Sequence, residues 1–254
     1  MLFQTLDNKK ECYAVYSHGD LYYYSNNLQL THTWNYTSHF SHLPIEYAQI
    51  WAMGKNLTEA CPDHLKEQWN LIELKARAYL TSFQEAKINL EDVCFYDMIP
   101  KKFLLNFCQT KNKISDYVFE HYKKPANYDF LLDLVGFVED IEKQKLNVRV
   151  ENLDFINPDN RKLLNKIKSS ANFIKYNPWG TVTGRLGTKN GGFPILTLNK
   201  EIRNVLWPTN DLLVEMDYNA AEIRALFALL GRAQPEEDIH AWIAKHIFDQ
   251  KYSR

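Results

Sequence analysis

The stretch from Leu212 to Gly231 is the segment that most restricts the fold of this chain. Its first seven residues, LLVEMDY, are mostly apolar and predict a buried strand that ends in the acid Asp217. Apolar residues then recur at helical spacing, at Ile223, Leu226, Phe227 and Leu230, until Gly231 ends the pattern. The segment therefore predicts a strand, an acid, a turn and a helix, with the Asp217 carboxylate beside the helix N-terminus.

The local pattern leaves two interpretations of this unit open. In the structural interpretation, Asn219 caps the helix and Glu222, three residues later, adds a contact like that of a capping box. In the functional interpretation, Asp217 is an oxygen ligand of the kind that Mg²⁺ prefers. The free N–H groups of the helix could then lie against a phosphate.

Short motifs flank this unit in a fixed order. Thr183-Gly184-Arg185-Leu186 lies about 30 residues before Asp217, Ile202–Pro208 leads into the strand, and Asp238-Ile239-His240 opens a helix 21 residues after Asp217. Each motif alone is weak, but the ordered set around the sequence DYNAAEIR resembles the polymerase module of family A DNA polymerases. That family includes bacterial DNA polymerase I and many phage replicases, and the resemblance covers about residues 176–254.

The resemblance implies a role for each of these residues. Asp217 would be the first catalytic carboxylate of the palm and a ligand of both Mg²⁺ ions, and the carbonyl of Tyr218 would complete the coordination. Glu222 would lie by the nucleotide sugar, and His240 would lie near the triphosphate of the incoming dNTP. The residues implied to contact primer–template DNA are Thr183, Arg185 and Arg203.

The sequence also departs from the family. Gly187-Thr188 replaces the usual Ser-Ser, and Ile195–Asn199 replaces Leu-Gln-Asn-Ile-Pro. The family further requires a fingers helix with Arg, Lys and Tyr that grips the nucleotide, and a turn that carries the second catalytic Asp. The 254 residues contain neither, and Asp238 and Asp249 lie in the wrong context to replace that Asp. We therefore expect the N-terminal subunit of a split, phage-type DNA polymerase, completed by a second polymerase chain.

Two other functions remain open at this point. The chain could be a non-catalytic DNA-binding or replication-scaffold protein that retains half a polymerase, or a fragment of a longer polymerase. The charge distribution is compatible with DNA binding, since residues 1–100 carry a net charge of −5 and residues 101–254 one of +4. Residues 160–204 contain nine basic residues and one acid, Glu201, so a polyanion would bind there. A solvated basic surface explains the same charges equally well.

The fold class predicted from the whole pattern is α+β. Cys12–Tyr16 and Leu21–Tyr24 predict two strands around the turn Ser17-His18-Gly19-Asp20. Two further strands are predicted over Leu28–Trp34 and Val93–Tyr96. Helices are predicted from Pro62-Asp63 onwards, over 114–123, over 127–145 with Phe130, Leu134, Val138 and Ile141 on one face, from Asn157-Pro158, and around Trp242, Ile243 and Ile247. Residues 177–200 contain the least regular pattern.

By position along the family's chain, residues 1–110 are expected to form a degenerate exonuclease-like domain, residues 111–150 thumb-like helices, and residues 151–254 part of the palm and the start of the fingers. An active nuclease is disfavoured, because no Asp-x-Glu occurs in 1–110 and only Glu91-Asp92 and Asp97 flank a predicted strand. The four separated cysteines predict reduced thiols and a cytoplasmic protein, in the host cytoplasm if viral. No segment predicts a membrane span.

Overall fold

The computed structural model describes residues 3–4, 6–7, 10–23, 31–90, 92–151, 161–200 and 202–248. The chain divides into two compact units, Met1–Leu206 and Trp207–Arg254. Both units mix helices with short strands or extended segments, so the predicted α+β class is confirmed.

Nine α-helices lie in the described residues. They are α1 (Ala48–Trp51), α2 (Leu57–Ala60), α3 (Asp63–Glu85), α4 (Phe95–Met98), α5 (Lys101–His121), α6 (Tyr128–Glu142), α7 (Arg161–Ser169), α8 (Ala221–Leu229) and α9 (Ile239–His246). The strands of the described residues are β1 (Phe3–Gln4), β2 (Ala14–Ser17), β3 (Asp20–Tyr23), β4 (His32–Thr33), β5 (Glu46–Tyr47), β6 (Asn147–Val148), β7 (Tyr176–Asn177), β8 (Gly187–Thr188) and β9 (Leu206–Trp207).

The predicted N-terminal hairpin is confirmed. Strands β2 and β3 pair antiparallel from Ala14↔Tyr23 to Ser17↔Asp20, and β1 extends this sheet along β2. The two-residue turn between them has positive φ at both His18 (49°) and Gly19 (90°), the backbone that tight hairpins require.

The strand predicted over Leu28–Trp34 is only partly present. Residues 28–30 lie outside the described residues, and β4 covers His32–Thr33. This strand pairs in parallel with β5 and forms a separate two-stranded sheet instead of extending the hairpin.

The long helix predicted from Pro62-Asp63 is confirmed as α3. Its buried residues, Leu65, Trp69 and Ile72, follow the predicted helical spacing and join a core that α1, α2 and α5 complete. Burial of each large apolar side chain of this kind stabilises the fold by about 1.5–3 kcal/mol. This core therefore holds α1, α2, α3 and α5 together.

Two predictions between residues 93 and 121 need correction. The strand predicted over Val93–Tyr96 is wrong, because α4 begins at Phe95, and so short an apolar run does not distinguish a strand from a helical turn. The helix predicted over 114–123 is real but begins at Lys101, as α5. Its first turn carries Lys101 and Lys102, cations at the end where the helix dipole favours anions, so the sequence signal for its start was weak.

The apolar face predicted for the helix over 127–145 is only partly the face that the structure buries. The structure buries Tyr128, Leu131 and Val138 of α6, whereas the side chain of Phe130 is 64% exposed. The helix is apolar around most of its circumference, so spacing alone did not select the buried row. The helix start predicted at Asn157-Pro158 lies outside the described residues.

The predicted domain spans stay predictions, and two facts bear on them. Helix α5 runs continuously across the predicted boundary at residue 110. The first compact unit extends to Leu206, beyond the predicted boundary at residue 150. No helix among the described residues is long and apolar enough to cross a membrane.

Gly54 carries a testable constraint on the packing of the first unit. It has φ +83°, and a Cβ added there would lie 2.1 Å from Cγ of Trp179. We expect Gly54→Ala to lower the free energy of unfolding by about 2–4 kcal/mol, because left-handed strain and overpacking add. Urea denaturation followed by tryptophan fluorescence measures the change.

Gly19→Ala is the matched control for this substitution. Gly19 has φ +90° and no atom within 4 Å of an added Cβ, so only backbone strain of about 1–2 kcal/mol applies. Equal losses from the two substitutions would contradict tight packing between Gly54 and Trp179.

Candidate functional site

The Thr-Gly-Arg motif lies at the tip of a short hairpin in the first unit. Strands β7 and β8 pair antiparallel, with Tyr176 opposite Thr188 and Asn177 opposite Gly187. Gly184 has φ +73°, and its N–H donates to the carbonyl of Thr181 at 3.3 Å. The Thr181 hydroxyl donates to the carbonyl of Arg185 at 2.7 Å. The turn is therefore closed by its own hydrogen bonds and presents an exposed Arg185 side chain.

Trp179 fixes this hairpin to the body of the first unit. Its ring packs against Gly54 and against the core that contains Tyr47, Ile50 and Leu131. The backbone N–H of Trp179 donates to Oδ1 of Asn177 at 3.1 Å, which holds the start of the turn. The region predicted as least regular, 177–200, thus contains an anchored hairpin.

The basic stretch rests on a separate apolar cluster of the first unit. Ile167, Phe193, Leu198, Ile202 and Val205 are its buried residues. The apolar residues of the stretch form this cluster, and most of its basic residues lie at the surface. The exposed ones are Arg161, Lys162, Lys166, Lys168, Arg185, Lys189, Lys200 and Arg203. Lys189 also pairs with Glu142 at 3.4 Å.

The segment predicted as a buried strand lies near the start of the second unit, and that prediction is wrong for this chain. Leu212–Tyr218 belongs to no sheet of the described residues and is exposed throughout. Leu212, Val214 and Met216 are 67%, 69% and 89% exposed. The sequence has the composition of a buried strand, but the second unit supplies neither a neighbouring strand nor a covering layer among its described residues.

The start of α8 also differs from the structural interpretation of the sequence. The N-cap residue is Ala220, in left-handed conformation with φ 49°, and no side chain caps the helix. The side-chain amide of Asn219 instead donates to Oδ2 of Asp238 at 3.2 Å. The predicted side-chain cap by Asn219 is therefore wrong. Glu222 stands exposed in the first turn of α8.

Asp238 organises the contact between the two helices of the second unit. Its Oδ1 accepts the backbone N–H groups of His240 at 2.9 Å and Ala241 at 3.1 Å, so it caps α9, the helix that the motif was predicted to open. Its Oδ2 accepts from Asn219, two residues after Asp217. The backbone N–H of Ala241, then the Asn219 amide, lowers the pKa of the Asp238 carboxyl.

Arg224 and two aromatic rings complete this arrangement. The Arg224 Nε donates to the carbonyl of Asn219 at 2.9 Å, and its Nη1 donates to the carbonyl of Pro235 at 3.3 Å. The ring of Phe227 on α8 meets the ring of Trp242 on α9 edge to face, with centroids 5.3 Å apart. The turn after Asp217 is thus tied at several points to the helix that carries His240.

The geometry groups the predicted residues by unit. Asp217, Tyr218 and Glu222 flank the turn that Asp238 holds, and His240 Nδ1 lies 3.4 Å from Asp238 Oδ1. The residues predicted to contact DNA, Thr183, Arg185 and Arg203, belong to the first unit.

The donor atoms at Asp217 suit a hard cation. The Asp217 carboxylate is exposed and forms no hydrogen bond or ion pair within the part of the chain that the structure describes. The adjacent Tyr218 carbonyl supplies a second oxygen, and carboxylate and carbonyl oxygens are the ligands Mg²⁺ takes. This set contains one carboxylate, whereas a two-ion site needs more. No group of three metal-ligating side chains includes Asp217 among the described residues.

The structure brings together one set of reactive residues that the sequence did not predict. The sulfurs of Cys12 and Cys94 lie 2.7 Å apart, and an oxygen of Asp7 lies within 4.8 Å of both. The two cysteines are 82 residues apart with no motif spacing, so nothing in the sequence paired them.

Comparisons with protein families, with curated proteins and with solved structures give no match to this chain. The polymerase resemblance of the motifs therefore stays an expectation, and the function is argued from the residues and their geometry.

Asp238→Ala tests the organising role of Asp238. The substitution removes the acceptor for two backbone N–H groups and for Asn219, so we expect faster amide hydrogen exchange over residues 239–246 and over the turn at 219–220. Because the folded pKa is lowered, the carboxylate contributes its full stability above pH 3.8, and that contribution is lost as pH falls through the lowered value.

Glu237→Ala is the matched control, since Glu237 is an exposed acid that directly precedes Asp238. Hydrogen–deuterium exchange with mass spectrometry at pH 7 compares the variants. Equal protection of α9 in Asp238→Ala and the wild type would contradict the assigned role.

Proposed function

We propose that this chain is one subunit of a DNA-directed DNA polymerase and supplies the first carboxylate, Asp217, of a two-metal nucleotidyl-transfer site. The observation that carries the proposal is the exposed Asp217 carboxylate beside a turn that Asn219, Arg224 and Asp238 hold in place. A metal ligand must be accessible and supported by a fixed backbone, and this arrangement meets both requirements.

Asp217 and the Tyr218 carbonyl would hold Mg²⁺, which when bound supplies charge neutralisation and activation of the primer hydroxyl. Glu222 and His240 lie on α8 and α9, on either side of the linked turn, and would bind the sugar and the triphosphate of a dNTP. Nucleotidyl transfer depends mainly on positioning and charge neutralisation. The fixed relation between the turn and α9 is what positioning requires.

The first unit would hold primer–template DNA. Arg185 stands at the tip of a hairpin that Trp179 anchors, and Thr183 lies in the same turn. Arg203 belongs to the 3₁₀ helix Arg203–Val205 on the apolar cluster beneath the basic surface. Contacts of this kind bind phosphates without selecting a base sequence, which suits a replicative enzyme.

A second chain would complete the site. Asp217 belongs to no group of three metal-ligating side chains in the described residues. Leu212–Tyr218 exposes apolar side chains that neighbouring strands of a palm sheet would cover. The partner would supply the fingers helix that grips the nucleotide and the second catalytic Asp. Its strands beside Leu212–Met216 would bury apolar side chains worth about 1.5–3 kcal/mol each.

Primer extension with purified chains tests the proposal. The partner to use is the polypeptide encoded beside this chain that carries a helix with Arg, Lys and Tyr and a His-Asp-Glu turn. We expect Mg²⁺-dependent extension of a radiolabelled primer by the two chains together, and none by either alone, because each holds only part of the metal site.

The controls separate the alternative functions. Robust extension by this chain alone would contradict the split site. Binding of primer–template without extension, in the presence of the partner, dNTPs and Mg²⁺, would instead support the non-catalytic scaffold, which the anchored basic hairpin also permits. Omission of dNTPs and addition of EDTA serve as blanks.

A further inference from the structure

Residues 10–13, which precede β2, contact the start of α4 and residues just before it. The backbone N–H of Tyr13 donates to Oδ1 of Asp97 at 3.1 Å, and Lys10 Nζ donates to the carbonyls of Leu90 and Val93. These contacts place Cys12 directly beside Cys94. The pairing therefore rests on several independent contacts in addition to the two sulfurs.

The distance between the sulfurs favours one chemistry over another. Their separation of 2.7 Å is close to the about 2.05 Å of an S–S bond. Two thiolates on a tetrahedral zinc ion, each about 2.3 Å from the metal, would stand roughly 3.8 Å apart. Asp7 could act as a third ligand, but the sulfurs are too close together for the zinc geometry.

The surroundings make Cys94 the better nucleophile of the pair. The hydrogen bond from Cys12, followed by the backbone N–H groups of Tyr96 and Asp97, lowers the pKa of Cys94. The pKa of Cys12 is raised, first by the same hydrogen bond and then by burial. The direction of these two shifts assigns the attack on an oxidant to Cys94.

We propose that Cys12 and Cys94 form a peroxide-sensitive thiol pair that closes reversibly to a disulfide. The Cys94 thiolate attacks one oxygen of hydrogen peroxide, the O–O bond breaks, and the hydroxide released takes up a proton to become water. Cys94 is then a sulfenic acid. The Cys12 sulfur attacks that sulfur, the S–O bond breaks, and the hydroxyl leaves with the Cys12 proton as a second water. In total, the two thiols lose two electrons, and hydrogen peroxide accepts them as it is reduced to two waters.

The disulfide would join two segments 82 residues apart and so restrict the unfolded chain. It would tie the N-terminal sheet to the segment before α4, beside the core formed by Leu6, Tyr16, Ile99, Leu104 and Cys108. We expect oxidation to raise the thermal midpoint of the first unit and dithiothreitol to reverse the rise.

Peptide mass spectrometry of the full chain tests the pair directly. Trypsin places Cys12 in peptide 11–55 and Cys94 in peptide 88–101, while Cys61 and Cys108 fall in two other peptides. After mild hydrogen peroxide and alkylation, we expect peptide 11–55 joined to peptide 88–101, and separate alkylated peptides after dithiothreitol. Cys12→Ser should abolish the joined species, and Cys108→Ser should leave it.

Several outcomes would overturn the proposal. Full alkylation of Cys12 and Cys94 in the wild type after peroxide is one, and a disulfide with Cys61 or Cys108 is another. A third is one equivalent of zinc in the purified chain that both Cys12→Ser and Cys94→Ser release, because that result assigns a metal site. Far-ultraviolet circular dichroism confirms that each variant is folded, and the wild-type result stands without the variants.

Discussion

An apolar strand is stable only when other strands or a covering layer remove its side chains from water, and Leu212–Tyr218 has neither among the described residues of its unit. The residues that follow this exposed segment in the second unit are held by specific contacts. Its turn is held by Asp238 and Arg224, and its two helices meet through Phe227 and Trp242. Asp217 thus stands at the junction between an exposed apolar segment and a fixed polar turn.

In the first unit, a basic surface is supported by packed apolar side chains. The apolar cluster around Phe193 supports the basic stretch, and Trp179 seats the hairpin against Gly54. Gly54 is needed there because its positive φ and missing Cβ leave room for the indole ring. Placing charged groups on a packed support limits the entropy lost when they bind a polyanion.

The sequence predicted those elements whose signals are local. The start of α3 at Asp63, the turn at His18-Gly19 and the Asp238 cap of α9 follow from capping residues, glycine and periodicity. The buried row of α6 and the start of α5 depend on packing against other elements, so local patterns did not determine them.

The candidate site was predicted only in part. The order of motifs identified Asp217, Glu222 and His240 along the chain, but not the hydrogen bond by which Asn219 reaches Asp238. Leu212–Tyr218 has the apolar composition of a buried strand, but the structure leaves it exposed and outside any sheet of the described residues. Burial depends on neighbouring elements, which the pattern of one segment does not reveal. Long-range pairs such as Cys12 and Cys94 leave no mark in sequence spacing.

The most direct test of the central claim is the rate of single-turnover incorporation of one dNTP by the reconstituted two-chain complex carrying Asp217→Asn. Asp211→Asn, an exposed acid in the same segment, is the matched control. If Asp217 is the shared metal ligand, its substitution should lower the rate by about 10³-fold or more at unchanged DNA binding, since such a loss corresponds to about 4 kcal/mol of transition-state stabilisation. The Asp211 variant should keep the wild-type rate. A wild-type rate from the Asp217→Asn complex would contradict the account.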